Sequence, residues 1–251
     1  YVQPGIGGKW SDVTVTQAQI LDINNDALPD IISADSDTGE WKVWLNLGDK
    51  WSTTPEVWAN NIGTSFKFTI GGGTAIGSAP AQLVDVNGDL FPDIVAANSD
   101  VGQWKVWKNL GNKWSATPEI WGNNLGVSLY ANRGGFGIYS TPTSGEPTAI
   151  PQLIDVNDDK LPDIVSAKTN GGEWKVWKNL GDKWNSTPEI WANNIGTSFY
   201  ANPDRTSGLG DVNADGLPDI VSAPSESGEW RVWLNQGDKW ATTYQVWANN
   251  I

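Results

Sequence analysis

The 251-residue chain contains no cysteine, no histidine and no methionine. Without cysteine there is no disulfide framework, no thiolate metal site and no thiol nucleophile. Without histidine the commonest general base and the commonest transition-metal ligand are gone, and Ser-His and Cys-His catalytic arrangements go with them. Any metal must therefore be held by oxygen, which favours calcium or magnesium. Positive charge is also scarce: 16 Lys and Arg stand against 29 Asp and Glu, a formal net charge of -13. That balance argues against a nucleic-acid partner, whose phosphates need a basic face. No apolar run approaches membrane-spanning length, so membrane insertion is not expected. The chain opens YVQPGIGG, as expected of a processed mature protein or of a trimmed one; a secreted, extracellular protein stapled by metal instead of disulfides is the expectation.

Aspartate and tryptophan are abundant instead, and both are periodic. Residues 85–95 read DVNGDLFPDIV; the string returns as DINNDALPDII at 22–32, DVNDDKLPDIV at 155–165 and DVNADGLPDIV at 211–221. The first Asp precedes a Trp by 19 residues each time: Asp22 and Trp41, Asp85 and Trp104, Asp155 and Trp174, Asp211 and Trp230. A block such as WKVWLNLGDKWSTTPEVW (41–58) completes each unit, and 16 of the 17 tryptophans lie in the four units. The cores are 22–58, 85–121, 155–191 and 211–247, each 37 residues with no insertion.

Within a unit, QLVDV (82–86), DIVAAN (93–98), QWKVWKNL (103–110) and KWSATPEIW (113–121) read as four short strands separated by turn residues. A four-stranded antiparallel meander with two apolar faces cannot stand alone. Radial stacking of four such sheets buries both faces, which predicts an all-β fold: one four-bladed β-propeller spanning 1–251. A linear stack or a pair of sandwiches is the alternative. The connections between cores hold 26, 33 and 19 residues, and the two chain ends joined would make 25. Four whole units are therefore expected to close, with Tyr1 beside Ile251.

The acidic strings point to calcium, which takes six to eight oxygens at flexible spacing. In the first loop Asp22, Asn24, Asp26 and Asp30 can converge, with the carbonyl of Leu28 as a further ligand. The second offers Asp85, Asn87, Asp89, Phe91 (carbonyl) and Asp93; the third Asp155, Asn157, Asp159, Leu161 (carbonyl) and Asp163. The fourth offers Asp211, Asn213, Asp215, Leu217 (carbonyl) and Asp219. The competing reading is a set of Asx-turns with solvated acids. Four calcium ions would bring the formal charge from -13 to -5.

DVNGDLFPDIV followed by a V-x-x-N-x-G strand and turn resembles the FG-GAP or VCBS repeat, found in integrin α-subunit propellers and in propeller lectins. The resemblance covers the four cores. The family pattern D-x-[DN]-x-D-G-x-x-D implies one calcium per blade, between the first two strands. This chain departs at the sixth position, where Ala27, Leu90 and Lys160 replace Gly and only Gly216 conforms. Glycine eases a left-handed turn, so the first three loops are expected to be bent differently or strained.

At the opposite end of each blade, aromatic and polar residues recur together: Glu40, Trp41, Trp58, Asn60 and Asn61 in the first unit. The counterparts are Gln103, Trp104, Trp121, Asn123 and Asn124; Glu173, Trp174, Trp191, Asn193 and Asn194; and Glu229, Trp230, Trp247, Asn249 and Asn250. An aromatic plane beside amide and carboxylate groups is how proteins grip a sugar ring. The competing reading packs Trp between blades and leaves Asn to cap turns. A multivalent, calcium-stabilised lectin is the expectation, with an extracellular adhesion or scaffold module binding a protein partner as the alternative. An enzyme is not expected: 12 of the 29 acids stand at the candidate calcium positions of the repeated loops, and catalysis needs one asymmetric site. The connection 131–148, ANRGGFGIYSTPTSGEPT, is the unique stretch that could hold a one-off site.

Overall fold

Each repeat alternates short β-branched and aromatic runs with Gly, Asn, Asp and Pro, so its strands are short and closely spaced. The computed structural model describes residues 13–15, 18–34, 39–64, 66, 68–70, 81–98, 102–127, 129, 151–167, 172–197, 199, 207–223 and 228–249. Strand β1 (Val13–Val15) precedes the first repeat, which forms β2 (Ala18–Leu21), β3 (Asp30–Ala34), β4 (Glu40–Trp44) and β5 (Glu56–Asn60). Strand β6 (Phe68–Ile70) follows and pairs antiparallel with β1. The second repeat forms β7 (Ala81–Val84), β8 (Asp93–Asn98), β9 (Gln103–Trp107) and β10 (Glu119–Asn123). The third forms β11 (Gln152–Ile154), β12 (Asp163–Ala167), β13 (Trp174–Trp177) and β14 (Glu189–Ala192). The fourth forms β15 (Ser207–Gly210), β16 (Asp219–Ser222), β17 (Glu229–Trp233) and β18 (Gln245–Asn249). Every repeat is a four-stranded antiparallel meander in chain order, and no helix occurs among the described residues.

Two strand expectations are corrected. The first strand of each sheet stops before the acidic loop, because Asp85 and its counterparts turn their carboxylates onto loop N–H groups. The fourth strand begins at Glu119, not Lys113; Trp114 makes only a single bridge to Asn109, and a turn separates the two.

The fourth strand also carries a bulge. Trp41 faces Ala59 while Lys42 faces Val57, which leaves Trp58 as the extra residue. A bulged residue escapes the two-residue alternation. Trp58 and Ala59 therefore both turn into the core while Val57 stays exposed. The same shift occurs at Trp121, Trp191 and Trp247.

Three cores hold the sheets together, each shared by consecutive repeats. The first joins Ile32, Trp41, Val43 and Trp58 to Ile94, Trp107 and Trp114 of the next repeat. The second and third repeat this pattern one and two blades on. At each junction a hairpin tryptophan stands edge-on between two tryptophans of the preceding sheet. Trp114 lies 5.4 Å from Trp41 and 5.5 Å from Trp58; Trp184 lies 5.4 Å from both Trp104 and Trp121. Trp240 lies 5.5 Å from Trp174 and 5.2 Å from Trp191. Such pairs contribute about 1 kcal/mol each beyond burial. Backbone bonds add to this: Trp114 N donates to Trp58 O (3.2 Å), Trp184 N to Trp121 O (2.9 Å) and Trp240 N to Trp191 O (3.1 Å).

Between the fourth sheet and the first, no such junction is found among the described residues. Trp51, the counterpart of Trp114, is 42% exposed, and Trp230 and Trp247 are 43% and 46% exposed. The packing expected to close four blades is thus not made at these residues. Tyr1, Asn250, Ile251 and the segment 131–148 lie outside the described residues.

Candidate functional site

The acidic loops keep one geometry in all four repeats. In the first, both Asp22 oxygens accept loop N–H groups, from Asp26 (3.2 Å) and Ala27 (2.8 Å). Asn24 Oδ1 accepts Asp26 N (3.1 Å), and Asp26 accepts Leu28 N (2.8 Å) and Asn24 Nδ2 (2.9 Å). The fourth and sixth loop positions are left-handed in every copy: Asn25 and Ala27, Gly88 and Leu90, Asp158 and Lys160, Ala214 and Gly216. The loops without Gly at the sixth position are therefore bent like the one that has it, with φ of 67°, 72° and 71° against 90°.

The last Asp of each loop plays a different part. Asp93 is fully buried at the head of β8, where it accepts Val86 N (3.4 Å) and Asn109 N (2.7 Å). Asn109 then branches: its Nδ2 reaches Pro92 O (3.2 Å) and, across the junction, Ile23 O of the previous loop (2.8 Å). Its Oδ1 accepts Gly111 N (2.9 Å), while Trp114 Nε1 also donates to Pro92 O (3.1 Å). Asn179 and Asn235 repeat this hub, reaching Val86 O and Val156 O at 2.8 Å each. Acidic loop, hairpin and neighbouring blade are thus tied at one asparagine, a role that the sequence reading did not assign.

Burial pushes the carboxyls of Asp93 and Asp163 up to about 7, against the lowering pull of their backbone N–H partners. Burial raises Asp30 and Asp219 as well, and the nearby loop aspartates add to the rise. A cation beside these groups would favour the charged form. The donor set fits a hard divalent ion: carboxylate, amide and carbonyl oxygens only. Each carboxylate oxygen that accepts one N–H keeps a lone pair for a second contact. As placed, no three acidic side chains among the described residues stand together closely enough to hold a metal ion.

In the first three repeats the other end of the sheet departs from the expected sugar site. Trp41, Trp104 and Trp174 are fully buried, donating Nε1 to Thr64 O, Val127 O and Thr197 O at 2.9–3.0 Å. Trp58, Trp121 and Trp191 are buried by the bulge and bond Glu56, Glu119 and Glu189. The edge-on contacts between blades occupy these six rings, so they offer no stacking face. Asn61, Asn124 and Asn194 are turn residues with φ of 51–54°, and their N–H groups close onto Gly39 O, Gly102 O and Gly172 O. What remains open is polar. Asn60, Asn123, Asn193 and Asn249 are exposed. Glu40 faces Asn60 across the strand pair, Gln103 faces Asn123 and Glu229 faces Asn249. Glu173 and Asn193 flank the Trp174–Ala192 pair. Glu40 is paired with Lys42 (2.8 Å), Glu173 with Lys175 (3.0 Å) and Glu229 with Arg231 (2.7 Å).

Among solved structures, this fold is similar to that of an Agrocybe aegerita lectin studied for specific recognition of non-reducing terminal N-acetylglucosamine. The match has a TM-score of 0.58 at 20% identity and covers 91% of this chain and 50% of that chain. It is also similar to part of the Photorhabdus luminescens Tc holotoxin pore, with a TM-score of 0.52 at 16% identity, over 94% of this chain and 10% of that chain. The chain thus spans half the length of the lectin chain. No family model and no curated protein matches it.

Proposed function

We propose that the chain is a carbohydrate-binding protein built from propeller blades of the FG-GAP or VCBS type. The observation that carries the reading is the recurrence, on a lectin-like fold, of an exposed Asn beside a Glu or Gln at one end of every blade. Asn60 with Glu40, and their counterparts, would meet sugar hydroxyls by hydrogen bonding, in the first three repeats without the Trp stacking first expected, while Trp230 and Trp247 of the fourth keep exposed rings. Four weak sites on one body gain avidity toward clustered glycans. The second site should differ in preference, because Gln103 donates as well as accepts. Calcium would sit in the acidic loops as a structural ion, held by Asp22, Asn24, Asp26 and Asp30 with the Leu28 carbonyl and by their counterparts. Secretion and the lack of a catalytic role belong to the same reading.

Calorimetric titration with N-acetylglucosamine and with a glycan array tests it. Changing Asn60, Asn123, Asn193 and Asn249 together to Ala should abolish binding and leave the melting temperature within a few degrees, since all four are exposed. Absence of binding to any glycan at millimolar concentration refutes the lectin reading. The alternative of an adhesion or scaffold module that binds a protein partner then stands.

A further inference from the structure

The three internal junctions define what a sheet needs on each side, and among the described residues two of those sides are left partly open. The leading face of a blade is made by residues such as Ile94, Trp107, Asn109 and Trp114, all buried against the preceding sheet. The same positions in the first repeat, Ile31, Trp44, Asn46 and Trp51, are open to solvent in part. The trailing face is made by residues such as Val156, Val165, Trp174 and Trp191, again buried. In the fourth repeat Val212, Val221, Trp230 and Trp247 occupy those positions and are likewise uncovered. The hydrogen bonds follow the same division. Asn46 Nδ2 reaches only Pro29 O of its own repeat, whereas Asn109, Asn179 and Asn235 also reach across a junction.

We propose that the first sheet of one copy docks on the fourth sheet of a second copy, reproducing the internal junction. Trp51 enters between Trp230 and Trp247, its N–H meets Trp247 O, and Asn46 Nδ2 meets Val212 O. The contact is heterologous, leading face to trailing face, and two copies satisfy it twice and close a ring. Eight blades result, the upper end of the usual range, while a third copy would exceed it. The three tryptophans, each already more than half covered, together still expose on the order of 300 Å². With the partly open Ile31, Trp44, Val212 and Val221 beside them, two such junctions reach the roughly 1,000 Å² that a specific interface needs.

Light scattering on the 251-residue chain at micromolar concentration should give the mass of two chains. Trp51→Glu and Trp247→Glu should each give the mass of one chain with unchanged far-ultraviolet circular dichroism. Mixed in equal amounts, they should form a two-chain species more weakly than the unaltered protein but more readily than either variant alone, because one of the two junctions is then intact, made by the fourth-sheet face of the first variant and the first-sheet face of the second. Asn46→Ala, which removes the cross-junction donor along with the local bonds to Pro29 O and from Gly48 N, should weaken the pair about tenfold. This milder variant tests the contact even if a glutamate variant fails to fold. A one-chain mass for the unaltered protein, a ladder of larger multiples, or a Trp247→Glu variant that stays paired each overturns the proposal.

Discussion

At the residue scale the chain carries backbone strain where its repeats differ. Leu90 is 66% exposed at φ 72°, so its side chain gains little packing for the left-handed backbone it holds. Replacing it with Gly should raise stability by about 1 kcal/mol in urea unfolding, and Gly216→Ala should lower it by a similar amount. Gly172 is under a harder constraint. At φ 57°, a Cβ there would lie 2.9 Å from Asn194 Cα, a backbone atom that cannot swing away. Gly172→Ala should cost more than 1 kcal/mol, read from the shift in the urea midpoint. The paired Asn of each repeat was visible in the sequence, but its division of labour was not. In the first three repeats the second Asn closes a left-handed turn against a glycine and the first ends the strand facing solvent, a distinction set by backbone angles that composition does not encode.

At the element scale, spacing revealed much of the sheet. Turn residues between β-branched runs placed four strands per repeat, and the antiparallel meander followed from the short connections. The bulge was illegible, because one extra residue in a strand reverses which side chains face inward and leaves the sequence pattern unchanged. That single reversal buries Trp58, Trp121 and Trp191 and removes them as sugar platforms. The asparagine hub was illegible for another reason: Asn109 and its junction partner Ile23 are 86 positions apart. Asn179→Ala would leave Val86 O and Gly181 N without their partner. It should cost about 1–3 kcal/mol in urea unfolding. Trp184→Ala empties the centre of the middle junction and should cost about 3–5 kcal/mol by the same measurement.

At the scale of the whole molecule, the acidic loops proposed to hold calcium also carry the carbonyls on which the next sheet docks. Ile23, Val86 and Val156 each stand second in an acidic loop and each accept the Asn amide of the following blade. An ion fixing the loop would therefore also fix the docking point. Calcium at a hundred times its dissociation constant should add about 2.7 kcal/mol per site, seen as a melting temperature that falls on chelation. An unchanged midpoint would leave the loops as hydrogen-bonded turns. Among the described residues each sheet stacks only on its sequence neighbours, and this also governs how order is lost. Stability in such a row is a sum of nearest-neighbour couplings, so unfolding starts wherever a sheet has one neighbour instead of two. In the isolated chain, amide hydrogens of β8, β9, β12 and β13 should exchange slowest, and those of β2, β3, β16 and β17 fastest. Joined head to tail with a second copy, every sheet acquires two neighbours, and the gradient of protection along the chain should flatten.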